Sequence, residues 1–192
     1  KGENNTISVR VDNSYNPDVI PSQKADFFIY GGITRDVWLK ILPGVNLKNI
    51  SVSTPQVSTN SATTSLKVEF NNPSSIDDSY SIQSKILEPS TKKVVAQKTI
   101  KANDLKAGKS LEFPTVNLPK LWSPTQPQLY QVVTQLLKNG QLIDEKKETF
   151  GYRWFKFEKQ GAFFLNGKRL LLRGTHRHEE HAGYGAAMTN EM

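Results

Sequence analysis

The residues best suited to chemistry lie together between positions 173 and 181, in the sequence RGTHRHEEH. This stretch holds all three histidines of the chain, His176, His178 and His181, next to two glutamates. Imidazole and carboxylate groups bind zinc, but these histidines do not follow an established zinc spacing. A metal site is therefore the weaker interpretation of the cluster.

The position of the cluster favours a role at an active site. It follows three consecutive leucines at residues 170–172, and an apolar run without alternation is typical of a strand buried on both faces. Barrels of parallel strands and helices carry their active-site groups in loops just past the C-terminal ends of such strands. A histidine in this loop is predicted either to contact a substrate or to cap the strand through backbone hydrogen bonds, and the residues leave both roles open.

A second candidate is Asp26, which precedes an aromatic run at residues 27–30 and two glycines at 31–32. Carboxylates accept hydrogen bonds from paired sugar hydroxyls, and aromatic rings stack on the apolar face of a sugar. The same pattern is also typical of an ordinary strand boundary. The three tryptophans, Trp38, Trp122 and Trp154, are interpreted first as large core anchors where domains meet and second as sugar platforms.

The composition excludes several classes of function. The 192 residues include no cysteine, which removes disulfide frameworks, thiolate metal sites and cysteine nucleophiles. The net charge of +7 comes with lysines dispersed along the chain, whereas a nucleic-acid interface needs a clustered basic surface interleaved with aromatics. We therefore expect no nucleic-acid partner. We also expect no membrane span, because no apolar run approaches the roughly 18 residues that such a helix needs.

The middle of the chain has the period of two that is typical of half-buried strands. Short alternating runs, separated by turn residues, occur near residues 50–52, 66–70, 80–86, 94–100, 111–118, 130–138 and 141–150. The last two runs are joined by Asn139-Gly140, a strong hairpin signal. Short strands without a convincing helix predict an all-β fold, an immunoglobulin-like antiparallel β-sandwich over residues 45–150. The lack of cysteine excludes the antibody subclass.

The two flanks, residues 1–44 and 151–192, are predicted to be partial segments of neighbouring domains. The first flank has alternation at residues 7–11 and a strand-like stretch at 33–42, and two strands cannot bury a core of their own. The second flank has a predicted hairpin over residues 163–168, followed by the leucine run as a buried strand.

Four motifs, in this order and spacing, resemble glycoside hydrolase family 2. They are DFFIYGGITRDVWL at 26–39, LWSPTQPQLY at 121–130, FGYR at 150–153 and FFLNGKRLLLRGTHRHE at 163–179. The resemblance implies three domains: the end of a jelly-roll sugar-binding domain (1–44), the sandwich (45–150) and the start of a (β/α)8 catalytic barrel (151–192). Arg177, His178 and Glu179 resemble the β-galactosidase branch, because β-glucuronidases usually have lysine at the first of these positions.

The resemblance also implies roles for individual residues. His178 matches a histidine that contacts the galactosyl group in the transition state. Asp26 matches an aspartate that holds sugar hydroxyls and, in some members, a sodium ion. His176 departs from the family, in which asparagine is common at this position.

The implied reaction is retaining hydrolysis of a terminal β-D-galactoside by two glutamates. We expect those glutamates after Met192 in the whole protein, so that this piece alone is inactive. The resemblance implies magnesium and sodium for the whole enzyme and no cofactor for this piece. The expected partners are a β-galactoside and the neighbouring domains of the same chain.

Three further interpretations bear on function. Asn190-Glu191 resembles the Asn-Glu pair that carries the acid/base in many glycosidases, but there the pair ends a buried strand. Residues 186–189 are not strand-like, so we interpret the match as a coincidence. The alternatives to a β-galactosidase piece are a stand-alone carbohydrate-binding or interaction module and a piece of a β-glucuronidase-type relative.

Overall fold

The structure, a computed structural model, describes residues 6–18, 30–106, 108–177 and 179–191. The chain divides into two compact units, one formed by Lys1–Lys40 with Gly174–Met192 and the other by Ile41–Arg173. The larger unit therefore combines the sandwich region with residues 151–173. The assignment of the chain to segments of three domains stays a prediction.

The larger unit contains antiparallel β-sheets arranged as a sandwich, which confirms the predicted fold class. Its strands are β1 (Asn46–Ser53), β2 (Ser61–Ala62), β3 (Ser65–Asn71), β4 (Tyr80–Leu87), β5 (Val94–Lys101), β6 (Ser110–Glu112), β7 (Val116–Asn117), β8 (Tyr130–Lys138) and β9 (Gln141–Phe150). They form a four-stranded sheet in the order β5-β4-β8-β9, a three-stranded sheet in the order β1-β3-β6 and the pair β2-β7. Every pairing is antiparallel.

Two local features differ from the prediction. The strand predicted over residues 111–118 is split into β6 and β7 around Pro114, which has no N–H to donate to a ladder. A short helix, α1 (Ala102–Lys106), follows β5 although the sequence predicts none. Its buried residues, Ala102 and Leu105, are three apart and so lie on one face.

The remaining helical structure is small. A 3₁₀ turn at Pro73–Ser75 follows β3. No helix in the described ranges is long and apolar enough to cross a membrane.

Alternation in the central strands builds the core. β4 and β8 each bury alternate residues completely, namely Ile82, Ser84 and Ile86 in one strand and Val132, Thr134 and Leu136 in the other. Burying each aliphatic side chain contributes about 1.5–3 kcal/mol. The Ser84 hydroxyl donates to Thr134 Oγ1 at 3.0 Å, so this pair keeps a hydrogen bond inside the core.

Asp144 of β9 links the two large sheets at one edge. Its Oδ2 accepts a hydrogen bond of 2.8 Å from the backbone N–H of Leu47 in β1. The register of β8 and β9 shifts between Leu136 and Leu137, next to the position paired with Asp144. Such bulges commonly re-aim a side chain, and this one accompanies the carboxylate that reaches β1.

Three aromatic rings pack where β8 begins and β9 ends. Tyr152 is fully buried, with its ring centroid 4.8 Å from that of Tyr130 and 5.0 Å from that of Phe150. Its hydroxyl forms a hydrogen bond of 2.6 Å with Thr64 Oγ1, and the hydroxyl of Tyr130 accepts one of 2.8 Å from the N–H of Lys120. Burial raises the pKa of Tyr152 to about 12 and also raises the pKa of Tyr130. Both phenols therefore act as neutral hydrogen-bonding groups.

A small sheet continues the larger unit beyond the sandwich. Its strands are β10 (Phe155–Phe157), β11 (Phe163–Leu165) and β12 (Lys168–Arg169), and the last two confirm the predicted hairpin. Asn166 and Gly167 turn the chain between them with positive φ angles of 51° and 77°. The Asn166 side chain accepts from the N–H of Trp154 at 3.1 Å and donates to the carbonyl of Trp122 at 2.9 Å. One amide thus ties the hairpin to two other segments.

The strands predicted at residues 7–11, 33–42 and 170–172 are wrong, because the structure assigns no strand to these segments. Their apolar side chains are exposed, as at Ile7, Val37 and Leu171. None of the described residues forms a partner strand for them. An unpaired strand leaves its N–H and C=O groups without a ladder, and two strands alone bury too little apolar surface to persist.

Glu88, in the turn after β4, is held by several donors. Lys120 Nζ forms an ion pair with its Oε1, and the N–H of Thr91 donates to its Oε2 at 2.9 Å. These hydrogen bonds, first from Lys120 and then from Thr91, lower the pKa of Glu88 to about 2. Because this value lies below the ordinary 4.5, the charged form stabilises the fold above pH 4.5, and the effect is lost as the pH falls toward 2.

Removing the Tyr152 hydroxyl is expected to destabilise the larger unit, because Thr64 is only 1% exposed and would keep a buried hydroxyl without this partner. Tyr152→Phe should lower the free energy of unfolding by about 1–3 kcal/mol in urea denaturation. The double variant Tyr152→Phe/Thr64→Val removes both polar groups and should recover part of that loss. Strict additivity of the two single changes would contradict the coupling.

The stability of the chain is expected to fall between about pH 4.5 and pH 2 in part because Glu88 becomes protonated. Glu88→Gln should flatten this part of the stability curve, since the variant has no group to titrate there. Lys120→Met removes the largest cause of the lowered pKa and should shift the lower end of the window upward. Urea denaturation across this pH range measures both effects, and an unchanged slope in Glu88→Gln would contradict the assignment.

Candidate functional site

The smaller unit brings two distant segments of the chain together. Its described parts are residues 6–18, 30–40, 174–177 and 179–191. The guanidinium of Arg35 donates through Nη1 to the carbonyl of Thr34 at 2.8 Å and to the carbonyl of Ala186. Arg35 and Ala186 are 151 positions apart, so the contact joins the segment that follows Asp26 to the segment that follows His178.

The carbonyl of Ala186 that accepts from Arg35 belongs to a tight turn at residues 181–187, which we name the His181 turn. The N–H of Gly185 donates to the carbonyl of His181 at 2.8 Å, and the N–H of Ala187 donates to that of Tyr184 at 3.0 Å. Gly185 has a φ of +56°, and a Cβ at this position would lie 2.8 Å from ring carbons of Tyr30. Glycine therefore allows both the left-handed backbone and the close approach of the Tyr30 ring.

Residues 33–36, Glu179 and residues 187–191 line a groove of about 620 Å³ in the smaller unit. Its lining includes three carboxylates, those of Asp36, Glu179 and Glu191. A hydrogen bond from the Thr189 side chain lowers the pKa of Glu191. Because an ionised carboxylate only accepts hydrogen bonds, this lining suits a ligand rich in hydroxyl donors.

The two residues that the resemblance assigns to sugar binding, Asp26 and His178, lie outside the described residues. Their roles stay predictions. Arg177 and Glu179, which flank His178, are exposed, and Arg177 Nε forms an ion pair of 3.7 Å with Glu179 Oε1. A surface pair of this kind contributes little to stability, so Glu179 keeps its carboxylate available on the groove.

The side chain of His181 contacts residues of the turn in which it lies. Its Nδ1 lies 2.9 Å from the carbonyl oxygen of Ala182, and its ring packs edge-on against Tyr184 with the centroids 5.7 Å apart. This arrangement agrees with the structural alternative for the cluster, in which a histidine bonds to backbone.

The family resemblance implies metal ions for the whole enzyme. Within those residues, no group of three or more His, Asp and Glu side chains is placed to hold a metal ion. They therefore provide no ligand set for the implied magnesium or sodium. The cluster of three histidines includes His178 and so extends outside the described residues.

The three tryptophans have different environments. Trp38 is 78% exposed in the smaller unit, so its role as an anchor where domains meet stays a prediction. Trp122 and Trp154 of the larger unit are partly buried. The Arg153 guanidinium lies over the Trp122 ring, 4.8 Å from its centroid, which is a cation–π geometry. One face of Trp122 is thus covered by protein, which favours the anchor role over the sugar-platform role.

Sequence reasoning missed Arg35 and Asp36 and treated Glu191 as a coincidental match. The structure assigns no strand to residues 186–189, as expected, yet Glu191 lines the groove. The available signal for Arg35 and Asp36 was their position as a charged pair inside an otherwise apolar stretch. A charged pair in the sequence does not reveal that Arg35 binds the carbonyl of Ala186, because the two residues are 151 positions apart.

Known proteins are similar to this chain over almost its whole length. A protein of Formosa agariphila named "Putative beta-glucuronidase" is 48% identical over 191 residues, covering 99% of this chain and 22% of the relative. A beta-galactosidase of Rhizobium meliloti is 32% identical, covering 96% of this chain and 24% of the relative. The crystal structure of Parabacteroides merdae beta-glucuronidase matches with a TM-score of 0.82 at 38% identity, covering 95% of this chain and 22% of that protein. The chain thus spans only about a quarter of the length of these relatives.

The family follows from a match to the larger unit itself. The family model described as "Glycosyl hydrolases family 2" matches residues 45–153, which is more than half of the 192 residues. That range runs from the start of the sandwich through the buried Tyr152. The chain therefore belongs to glycosyl hydrolases family 2.

Proposed function

We propose that the whole protein is a retaining glycoside hydrolase that cleaves terminal β-D-galactosides, and that this chain supplies its sandwich and two sugar-contacting residues. The observation that carries the proposal is the contact of Arg35 with Ala186, which joins the segments that follow Asp26 and His178. Residues from two distant parts of the chain then serve one sugar site. Membership of glycosyl hydrolases family 2 supplies the reaction class.

The proposed chemistry uses two carboxyl groups about 5–5.5 Å apart. One attacks the anomeric carbon while the other protonates the leaving oxygen, which gives a covalent glycosyl intermediate. Water, deprotonated by the second group, then releases the sugar with its configuration retained. By resemblance, both glutamates follow Met192 in the whole protein.

This chain contributes binding rather than bond breaking. Asp26 accepts hydrogen bonds from sugar hydroxyls in the ground state and in the transition state. His178 contacts the galactosyl group, and its hydrogen bond strengthens as the sugar ring flattens toward the transition state. A contact that strengthens in this way raises kcat, whereas uniform binding lowers only KM.

The charge of the groove supports a neutral sugar. Asp36, Glu179 and Glu191 contribute carboxylates, while the guanidinium of Arg35 is hydrogen-bonded to two backbone carbonyls. A glucuronide would bring a further carboxylate near these three, and like-charge juxtaposition disfavours binding. The resemblance of residues 177–179 to the β-galactosidase branch supports the same choice.

A β-glucuronidase is the second candidate. The relative from Formosa agariphila, at 48% identity, is named "Putative beta-glucuronidase". The two candidates share the retaining mechanism and differ in the sugar: galactosides have a hydroxymethyl group at C5 and an axial hydroxyl at C4, whereas glucuronides have a carboxylate at C5 and an equatorial hydroxyl at C4. Substrate comparison with the whole protein therefore separates them directly.

The whole protein should hydrolyse 4-nitrophenyl β-D-galactoside with a higher kcat/KM than the matching β-D-glucuronide.

In the same protein, His178→Ala should lower kcat and kcat/KM by similar factors, roughly 10²-fold or more, because the lost contact acts in the transition state. Asp26→Ala should raise KM as well as lower the rate, because it also binds the ground state. Steady-state kinetics measure all three results.

Asp12→Ala is a matched control for Asp26→Ala, since Asp12 is paired with Arg10 at the surface of the same unit. It should leave the kinetics unchanged. Wild-type kinetics, within about twofold or ~0.4 kcal/mol, in both Asp26→Ala and His178→Ala would contradict the two site assignments. A higher kcat/KM for the glucuronide would replace the first candidate by the second.

A further inference from the structure

The geometry points to Arg35 as a positioning residue of the glycosidase site, which holds the His181 turn against residues 30–36 and so fixes the groove. This inference rests on the proposed function for its catalytic consequence. Among the described residues, the hydrogen bonds of Arg35 go to backbone carbonyls, and Arg35 is not itself assigned to the reacting atoms.

The first support is the choice of side chain. Arg35 Nη1 donates to the carbonyls of Thr34 and Ala186, one local and one across the groove. Both bonds come from one nitrogen, and the two N–H groups of Nη1 are fixed in the plane of the charged guanidinium, so they fix the relative position of the two acceptors. An ammonium on a flexible stem does not impose such a geometry.

The second support is a separate contact at the same junction. Ring carbons of Tyr30 lie 2.8 Å from the position that a Cβ of Gly185 would take. The ring therefore packs directly on the backbone of the His181 turn. Tyr30 and Arg35 are five positions apart on one segment, and Gly185 and Ala186 are adjacent on the other. Two anchors at different points restrict rotation as well as translation of one segment against the other.

The catalytic consequence follows from what the anchored segments carry. Asp36 is adjacent to Arg35, and residues 187–191 begin directly after Ala186, so both walls of the groove start at the contact. The proposed sugar-binding residues, Asp26 and His178, precede the two anchored segments in the sequence. A misplacement of about 1 Å in such a site costs roughly 10²-fold in rate.

The test uses Arg35→Gln and Arg35→Lys in the whole protein, with two independent measurements. Steady-state kinetics on the aryl galactoside should show kcat/KM reduced by roughly 10- to 100-fold, with KM raised. A simple loss of folded protein would lower kcat and leave KM unchanged. Arg35→Lys should fail to restore the wild-type values, because the fixed planar N–H groups of the guanidinium, and not the positive charge alone, hold the two carbonyls.

Amide hydrogen exchange supplies the measurement that does not depend on activity. The N–H groups of His181, Tyr184, Gly185 and Ala187 are hydrogen-bonded within the turn. Arg35→Gln should accelerate their exchange and leave the strands of the sandwich unaffected. Arg10→Gln is the matched control, because Arg10 pairs only locally with Asp12 in the described contacts and should change neither readout.

A second pair of variants isolates the Tyr30 contact. Gly185→Ala adds both backbone strain and a clash with the ring, whereas Gly183→Ala, at a φ of +84°, adds a methyl group with nothing within 4 Å. Gly185→Ala should accelerate exchange in the turn and lower kcat/KM well beyond the effect of Gly183→Ala. Equal effects of the two substitutions would show that strain alone matters and would overturn the packing argument.

The remaining outcomes are decisive. Unchanged exchange in Arg35→Gln overturns the anchoring role, and faster exchange with kinetics within twofold of wild type overturns the catalytic consequence. If the wild-type protein hydrolyses neither the galactoside nor the glucuronide, the proposed function fails. The exchange measurement then still supports or overturns the anchoring by Arg35.

Discussion

The hydrogen bond between Tyr152 and Thr64 is the constraint on which the larger unit depends. It joins residues 88 positions apart at 2.6 Å, in a site from which water is excluded. Both hydroxyls have lost their hydration, so each needs the other. The rings of Tyr130 and Phe150 surround the phenol and make its position a part of the core. The end of the sandwich is thus fixed by one polar contact inside an apolar cluster.

The hairpin that follows the sandwich is held by a series of hydrogen bonds that begins at Tyr152. The carbonyl of Tyr152 accepts a hydrogen bond of 2.9 Å from the N–H of Trp122, and the carbonyl of Trp122 accepts one from Asn166. Gly151 leaves room for this arrangement, since a Cβ there would lie 2.6 Å from that of Trp122. A chain of backbone and amide contacts therefore runs from the buried Tyr152 to the last hairpin. The family match ends at residue 153, next to this junction.

The sequence predicted the sandwich and the hairpin at residues 163–168 but failed for the other strands of the flanks, for a common physical reason. Strands such as β4 and β8 pair within the larger unit, so the alternation of Ile82 with Ile86 or Val132 with Leu136 reports their burial. The alternating apolar residues at 7–11, the strand-like stretch at 33–42 and the continuous leucine run at 170–172 find no strand partner among the described residues. The helix α1 was missed because five residues are too few to show a helical period.

The candidate site was predictable only in part. The resemblance selected Asp26 and His178, and both lie outside the described residues. Arg35 was not selected, because its contact with Ala186 depends on folding that brings distant segments together. Local patterns predict which face of a strand is buried. They do not predict which backbone carbonyl a guanidinium binds 151 positions away.

We propose a division of labour within the whole protein, in which this chain supplies the sandwich and sugar contacts and the two catalytic glutamates lie elsewhere in the sequence. The most direct test is the turnover of 4-nitrophenyl β-D-galactoside by the purified 192-residue chain, assayed beside the whole protein. We expect hydrolysis by the whole protein and none above background by the chain alone. Turnover above background by the purified chain would contradict the proposal, and loss of that turnover in Glu179→Gln or Glu191→Gln would show that the chain itself holds a catalytic carboxylate.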